Sequence, residues 1–309
     1  MFVGHGVAAF ALVGAVALYR RDDRQRALWL GVIAAMFATI PDVDILYGPF
    51  GLLNGVTGVF DATDAFWQTG NVVHRGPTHS MVLGAVTAGA VALWHRDRTL
   101  GRLLAVGLLG AVVATATVES GSIAGGVTLV FVLAALALAR VSARLTLSTR
   151  EVFAAALLGL LSHPLGDLFT GKPPALLYPF DVPIVTERIA LAADPTLHLL
   201  GAFAIELGII WLGLAVFYRL TDRRLRSHID RKATIGVAYA VAALTLPAPT
   251  LDTSYQFVFS VLGVGAIGVT QRQLLRRELR AIDWPRAVAT GLTAVTLAAL
   301  AYLTVYVLL

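Results

Sequence analysis

Seven residues, His74 to Ser80 (HRGPTHS), gather two imidazoles, a guanidinium and two hydroxyls around a Gly-Pro break. Three other places carry histidines or acids of the same kind: His5, the PDVD of Asp42 and Asp44, and the SHPLGD of His163 and Asp167. Neutral imidazole with carboxylate is a good ligand set for a divalent cation, and a fork-shaped guanidinium beside such an ion suits phosphate or carboxylate. His163 and Asp167 are four apart, so on a helix they share a face one turn apart. Asp42 and Asp44 are two apart, which on a regular helix points them nearly opposite ways. Pro41 disfavours the helical conformation ahead of it, and an extended stretch after that break would let both carboxylates share a face. Gly76-Pro77 forces a turn that frees His74 and His79 from helical spacing. Pro77 also fits the first turn of a coming helix, whose open amides would favour an anion.

Each cluster has a plainer reading when taken alone. His163 and Asp167 could simply hydrogen-bond within a bundle, Asp42 and Asp44 could be interfacial acids in water, and HRGPTHS could be an amphipathic turn. A single His5 in an apolar helix is more often a packing residue than a ligand. Glu206, in the middle of an apolar segment eight residues past His198, is a further candidate because intramembrane acids are costly unless they have a function or a partner. His95 and His228 lie in basic connections and read as solvated.

The elements that must position these residues are membrane helices. The chain is 57% apolar and only 14% charged, against roughly 25% charged in soluble domains. The charges come in blocks separated by apolar stretches of about 17 to 25 residues, the length that spans a bilayer. About ten spans follow: 2–19, 27–46, 79–95, 101–118, 122–140, 151–170, 196–218, 233–250, 255–270 and 287–309. The fourth and fifth are parted only by Glu119-Ser120-Gly121. With no cysteine, disulfides, thiolate metal sites and iron–sulfur clusters are excluded. The net charge of +5 suits anionic lipid headgroups rather than nucleic acid, so no nucleic-acid partner is expected. The arginines follow the first apolar stretch instead of preceding it, the wrong polarity for a cleavable signal peptide.

The connections 20–26, 96–102, 140–150, 219–232 and 271–286 hold 21 of the 24 Lys and Arg. Basic loops face the cytoplasm, which puts both termini outside. His5, Asp42 and Asp44, HRGPTHS, and His163 with Asp167 then all fall at the outer face, although none of them was used to assign it. That coincidence argues for one shared site. Two long outer connections, 47–73 and 171–195, have the length of lids or binding loops.

The pattern resembles the YdjM-like predicted membrane-bound metal-dependent hydrolases. The resemblance rests on an early His5-Gly6, the PD-x-D from Pro41 to Asp44, the HR-x-x-THS from His74 to Ser80, and the SH-x-x-x-D from Ser162 to Asp167 followed by an LLYP-like stretch from Leu176 to Pro179. It covers roughly residues 1 to 210, and divides the chain into a hydrolase-like membrane domain, 1–218, and additional helices, 219–309. It implies a divalent metal, zinc, held by His5, Asp42, Asp44, His79, His163 and Asp167, with His74 as a ligand or just outside the ligands. The family looks distantly similar to zinc-dependent phospholipases C, which would imply phosphoester cleavage.

Together these readings give an integral-membrane metal-dependent hydrolase of the cell membrane, acting on a lipid or lipid-linked phosphoester at the outer interface. Asp44 or Asp167 would accept a proton from water, and Arg75 with Thr78 or Ser80 would hold the substrate's anionic group. The competing classes are a divalent-metal or proton-coupled transporter using the same cluster, and a non-catalytic membrane protein with a structural metal. A transporter predicts polar residues continuing through the bundle, and the inner halves of spans one, three and six are almost purely apolar. The oligomeric state is not legible in the sequence.

Overall fold

The computed structural model describes residues 2–20, 23–96, 98–269 and 282–309, and among them every regular element is helical. Parts of the expected basic connections 20–26, 96–102 and 271–286, and residue 270 of the ninth span, lie outside the described residues. The chain forms two compact units, Met1–Arg188 and Ile189–Leu309. The division falls ahead of the helix Pro195–Leu220.

The first unit is built from α1 (Phe2–Tyr19), α2 (Arg24–Thr39), α3 (Val59–Gly70), α4 (Met81–His95), α5 (Thr99–Ala143) and α6 (Thr149–Gly166). A 3-10 segment, Ile40–Asn54, continues α2, and short 3-10 turns, Pro77–His79 and Asp167–Phe169, flank α4 and α6. Polar caps start three of these helices: Asp23 accepts from Arg26 N, Ser80 from Leu83 N, and Ser148 with Glu151 forms a capping box, each satisfying amides that a helix start leaves open.

The stretch Thr99–Ala143 is two helical arms that fold back on each other at Gly121, whose φ of 87° and ψ of 175° only glycine adopts readily. A Cβ on Gly125 would overlap the side chain of Thr117, and Arg102 and Arg140 both sit over the ring of Trp94, 5.7 and 4.9 Å from its centroid. A straight helix would hold those two arginines more than 50 Å apart, at about 1.5 Å per residue. The turn expected at Glu119-Ser120-Gly121 is therefore present.

Small residues set the helix crossings, as in membranes, where close backbone approach replaces hydrophobic drive. Gly159 brings α6 against α2: a Cβ there would lie 2.6 Å from Ala34 O and 2.8 Å from Ala38 N. Gly31 accepts the ring of Phe10 from α1, and Gly84 of α4 faces Leu160 of α6. One core of Phe37, Phe131, Val91, Val152 and their neighbours runs through α1, α2, α4, α5 and α6. The ends of this bundle differ in chemistry. Arg26 pairs with Glu151 at 2.7 and 2.9 Å, His95 meets Thr149, and Trp94 is sandwiched by arginines at one end. The start of α1, the ends of α2 and α6 and the start of α4 meet at the other.

The second unit contains α7 (Pro195–Leu220), the single turn α8 (Ala242–Thr245), α9 (Tyr255–Val264) and α10 (Trp284–Leu308). Phe257, Val261, Leu200 and Tyr302 form its core, Trp211 donates to Thr296 Oγ1 at 2.9 Å, and Tyr306 donates to Asp194. Gly236 and Gly268 let neighbouring segments reach the α10 backbone. The eighth expected span, 233–250, is a 3-10 segment, Arg231–Val241, followed by α8 and an irregular stretch. Pro247 and Pro249 withhold amide donors from its second half.

Among the described residues, five helical stretches are long and apolar enough to cross a membrane: Arg24–Leu53, Thr99–Ala143, Thr149–Phe169, Pro195–Leu220 and Trp284–Leu308; Val3–Tyr19, Met81–His95 and Tyr255–Gly268 are shorter apolar helices. Gly159→Leu is expected to destabilise the detergent-purified protein by about 1–3 kcal/mol through overpacking. Gly110→Leu, which meets open space, should leave thermal unfolding unchanged.

Candidate metal centre

His79 is the hub. Asp42 and Asp44 approach it from opposite sides of its ring: Asp42 Oδ1 stands 3.6 Å from Nε2 and Asp44 Oδ2 stands 3.2 Å from Nδ1. The extended stretch expected after Pro41 does not form, since the chain continues as a 3-10 helix. Residues two apart on such a helix diverge, and the divergence lets the two acids clasp one imidazole between them. Asp44 is enclosed. It takes His74 Nδ1 at 2.9 Å, the Thr78 hydroxyl at 2.8 Å and the Arg75 amide at 3.3 Å.

His163 comes from the last turns of α6 and stacks near His5, with ring centroids 4.0 Å apart. Gly166 makes that possible, because a Cβ there would lie 2.6 Å from the His5 ring. Asp167 follows at the C-cap of α6 and presents its two oxygens differently. Oδ1 accepts from Arg75 Nη2 at 3.0 Å and lies 3.3 Å from His5 Nε2; Oδ2 faces His79 Nε2 at 3.3 Å and His163 Nε2 at 3.6 Å.

The hydrogen bonds fix which ring nitrogens carry protons. His163 Nδ1 lies 2.6 Å from Ala38 O, which can only accept, so Nδ1 holds the proton and Nε2 the lone pair. Thr78 spends its proton on Asp44, so its oxygen accepts from His79 Nδ1 at 3.0 Å, and a neutral His79 likewise turns a bare Nε2 inward. Those two Nε2 atoms are 2.9 Å apart, and Asp42 Oδ1 lies 3.4 Å from that of His163. With both rings neutral, four acceptors thus converge with no donor between them among the described residues, and Asp167 Oδ2 is buried without a hydrogen-bond partner. The charges are unbalanced as well: three carboxylates, Asp42, Asp44 and Asp167, meet one guanidinium, leaving two negative charges where the ring groups are neutral. Such an excess is costly in a buried site unless a cation neutralises it.

Among the described residues, three overlapping groups could hold a metal ion: His5, His163 and Asp167; Asp42, His79 and His163; Asp44, His74 and His79. Orphaned Asp167 Oδ2, facing imidazole lone pairs and the −2 charge all fit a divalent cation. All seven residues read from the sequence as metal ligands are therefore brought together by the first unit.

The residues expected to hold substrate have other partners. Arg75 adopts φ +65°, a conformation that costs a non-glycine residue energy, and spends its guanidinium on the protein. Nη1 donates to the carbonyls of Asp167, Thr170 and Lys172, Nη2 to Asp167 Oδ1 and Thr170 Oγ1, and Nε to His74 Nε2. It is a clamp between the HRGPTHS turn and the segment after α6, with no donor left for an external anion. Thr78 is taken up by Asp44 and His79, and Ser80 caps α4 while donating to Tyr178 O at 2.6 Å. The amides expected to face an anion at the start of α4 are satisfied too, Met81 N by Leu176 O at 2.9 Å and Leu83 N by Ser80. Glu206 and His198 belong to the second unit. There His198 accepts from Leu191 N at 3.0 Å and is buried, and Glu206 is half-buried. Ala38 O, Thr170 and Gly166 were not singled out from the sequence. Ala38 acts through its backbone, which no residue type reveals, and a glycine next to Asp167 is the one signal that could have pointed to a close approach.

The fold and the site together define a multi-pass helical membrane protein with a buried His/Asp cluster able to hold a metal ion. Residues 1–118 match the YdjM inner membrane protein family. That stretch carries His5, Asp42, Asp44 and the whole of HRGPTHS; His163 and Asp167 lie beyond it and are joined to it by the fold. No curated protein and no solved structure shows significant similarity to the chain.

Arg75→Ala strips the partner from a buried carboxylate and from several carbonyls, a loss of about 3–5 kcal/mol for comparable pairs. A lowered unfolding temperature and faster proteolysis within 171–188 are expected, with Arg75→Lys restoring little because it lacks the planar fork.

Proposed function

We propose that this protein is a membrane-embedded metal-dependent hydrolase with one zinc-like centre formed by His79, His163, Asp42 and Asp167. The observation that carries this reading is the spacing of the four inward atoms: the two Nε2 atoms lie 2.9 Å apart, and Asp42 Oδ1 and Asp167 Oδ2 each lie 3.3 to 3.6 Å from both of them. Donors held about 2.0–2.2 Å from a tetrahedral zinc ion stand about 3.3–3.6 Å from one another. A bound divalent ion would supply Lewis acidity that makes water a nucleophile near neutral pH.

The residues divide the remaining work. Asp44 and Ala38 O hold the imidazoles in the tautomer that directs Nε2 inward, an outer support that raises ligand basicity. Arg75 and His5 hold Asp167. Asp42, a ligand through Oδ1, is the most accessible of the four and the one placed to act as base through its other oxygen: its side chain is 14% exposed while those of His79, His163 and Asp167 are 3% or less. It would accept a proton from water as the water oxygen bonds to the substrate's phosphorus and the ester oxygen departs with the bonding pair. Asp44 is less suited to that role than its position in the sequence suggests, because both of its oxygens are already engaged.

The cluster end is assigned to the extracytoplasmic side by the arginine distribution, with about ten passes and both termini outside, and the substrate is a lipid or lipid-linked phosphoester at headgroup level. A transporter is disfavoured by the polar inventory. Away from the cluster, the buried polar side chains described in the first unit are Thr87, Thr128 and Ser142, the last two bonded to their own helices. A structural metal is favoured by one feature, the presence of four protein donors where catalytic sites usually keep a position open.

Purified protein should contain about one ion per chain, lost in His79→Ala and in Asp167→Ala. Asp42→Asn should keep the fold and lower hydrolysis of an artificial phosphodiester at least about a hundredfold. A retained ion with no hydrolysis of phospholipids or artificial phosphoesters would favour the structural reading. For orientation, a cysteine replacing exposed Asp181 should react with an impermeant reagent from outside and one replacing exposed Arg144 should not. Ser80 is buried and would report poorly.

A further inference from the structure

Beside the cluster the first unit opens a cavity of about 800 Å³, within the usual range of about 300–1,000 Å³ for small-molecule pockets. Its walls are the 71–77 turn, the helix reversal at 120–124 and the segment 172–186. His74 and Arg75 line it, and the same two side chains contact Asp44 and Asp167. An occupant would therefore sit one side chain away from the acids of the cluster.

The lining is chemically divided. Lys172 and Arg75 carry fixed positive charge there, against the single acid Asp181, and the arm of α5 beginning after Gly121 adds the positive end of a helix dipole. Around them stand Val72, Ile123, Phe180, Val182 and Ile184, which are 68, 45, 63, 56 and 59% exposed. Phe180, Val182 and Ile184 alternate along an irregular segment with Asp181 and Pro183 between them. Side chains of this kind gain about 1.5–3 kcal/mol each on leaving water, so a cluster of them at a cavity mouth marks a surface built for hydrocarbon. Phe50, Leu53, Val59 and Phe60, also exposed, extend the apolar character of this unit's surface.

We propose that this cavity is the substrate pocket and that it takes an amphiphile, a phosphoryl head held near Lys172 with its hydrocarbon chain along Ile123, Phe180, Val182 and Ile184. The inference rests on the hydrolase reading of the adjoining cluster and gives its lipid phosphoester a pocket, a headgroup residue and a path for the hydrocarbon chain. Lys172, which no motif pointed to, becomes the headgroup residue in place of Arg75.

The chain contains no cysteine, so single thiols report cleanly. Ile123→Cys and, as a second reporter, Val182→Cys in nanodiscs would be labelled with a maleimide in the presence of dodecyl phosphate, inorganic phosphate or dodecyltrimethylammonium. Dodecyl phosphate is expected to slow labelling at least fivefold in either variant, the other two compounds less than twofold, and Lys172→Ala is expected to abolish the protection. No protection at either thiol, equal protection by the cationic amphiphile, or protection that survives Lys172→Ala would each overturn the proposal. Metal content measured on the same preparations keeps the two readings apart. Protection in a protein that binds no metal would sink the hydrolase and leave the pocket, and metal without protection would do the reverse.

Discussion

Burying like charge is the constraint from which the rest of the first unit follows. Asp42, Asp44 and Asp167 are drawn into a region where four imidazoles and one guanidinium are their partners, and only the guanidinium carries a permanent positive charge. Removing three carboxylates from water costs several kcal/mol each unless something repays it. Hydrogen bonds repay part of that cost at Asp44, which is fully engaged, and at Asp167 Oδ1, which Arg75 holds. The inward side is left with two imidazole lone pairs and two carboxylate oxygens facing each other, an arrangement that is repulsive by itself and attractive around a divalent ion.

The helical scaffold answers to the same constraint. Ligands from α1, α2, α4 and α6 can meet only if those helices approach closely, and glycine or alanine stands at the crossings that matter: Gly159 against Ala34 and Ala38, Gly31 against Phe10, Gly166 against the His5 ring. The approach of α6 to α2 also delivers Ala38 O to His163 Nδ1. One packing contact therefore sets both the distance between two helices and the tautomer of a ligand. Arg75 couples the remaining parts, tying the turn that carries His74 and His79 to the turn that carries Asp167 and to the segment lining the cavity. Its left-handed backbone is the strain that this coupling carries.

Much of this was readable in the amino-acid sequence. The bunching of arginines between apolar stretches puts His5, Asp42, HRGPTHS and His163 at one end, and the i, i+4 spacing of His163 and Asp167 puts both on one helix face. The division of labour among the polar residues was not readable. Arg75, Thr78 and Ser80 look like substrate donors when only their types are known, because sequence does not show that the carbonyls of Thr170, Lys172 and Tyr178 and the carboxylate of Asp44 will consume their protons. Asp42 and Asp44 were expected to share a face by becoming extended, whereas a 3-10 continuation of α2 splits them around His79. The eighth expected span met a similar limit: apolar composition identified it, but Pro247 and Pro249 interrupt its helix. Residues 1–118 match a family of inner membrane proteins, and the two ligands beyond that stretch are recognisable only through their geometry.

X-ray absorption at the edge of the metal that copurifies with the protein tests the central claim most directly, since it reads the ligands rather than their consequences. The account predicts a first shell of about four nitrogen and oxygen donors at about 2.0–2.2 Å, with outer-shell scattering from two imidazoles that diminishes in His163→Ala. A fully hydrated ion without imidazole scattering, or a spectrum unchanged by that substitution, would contradict it.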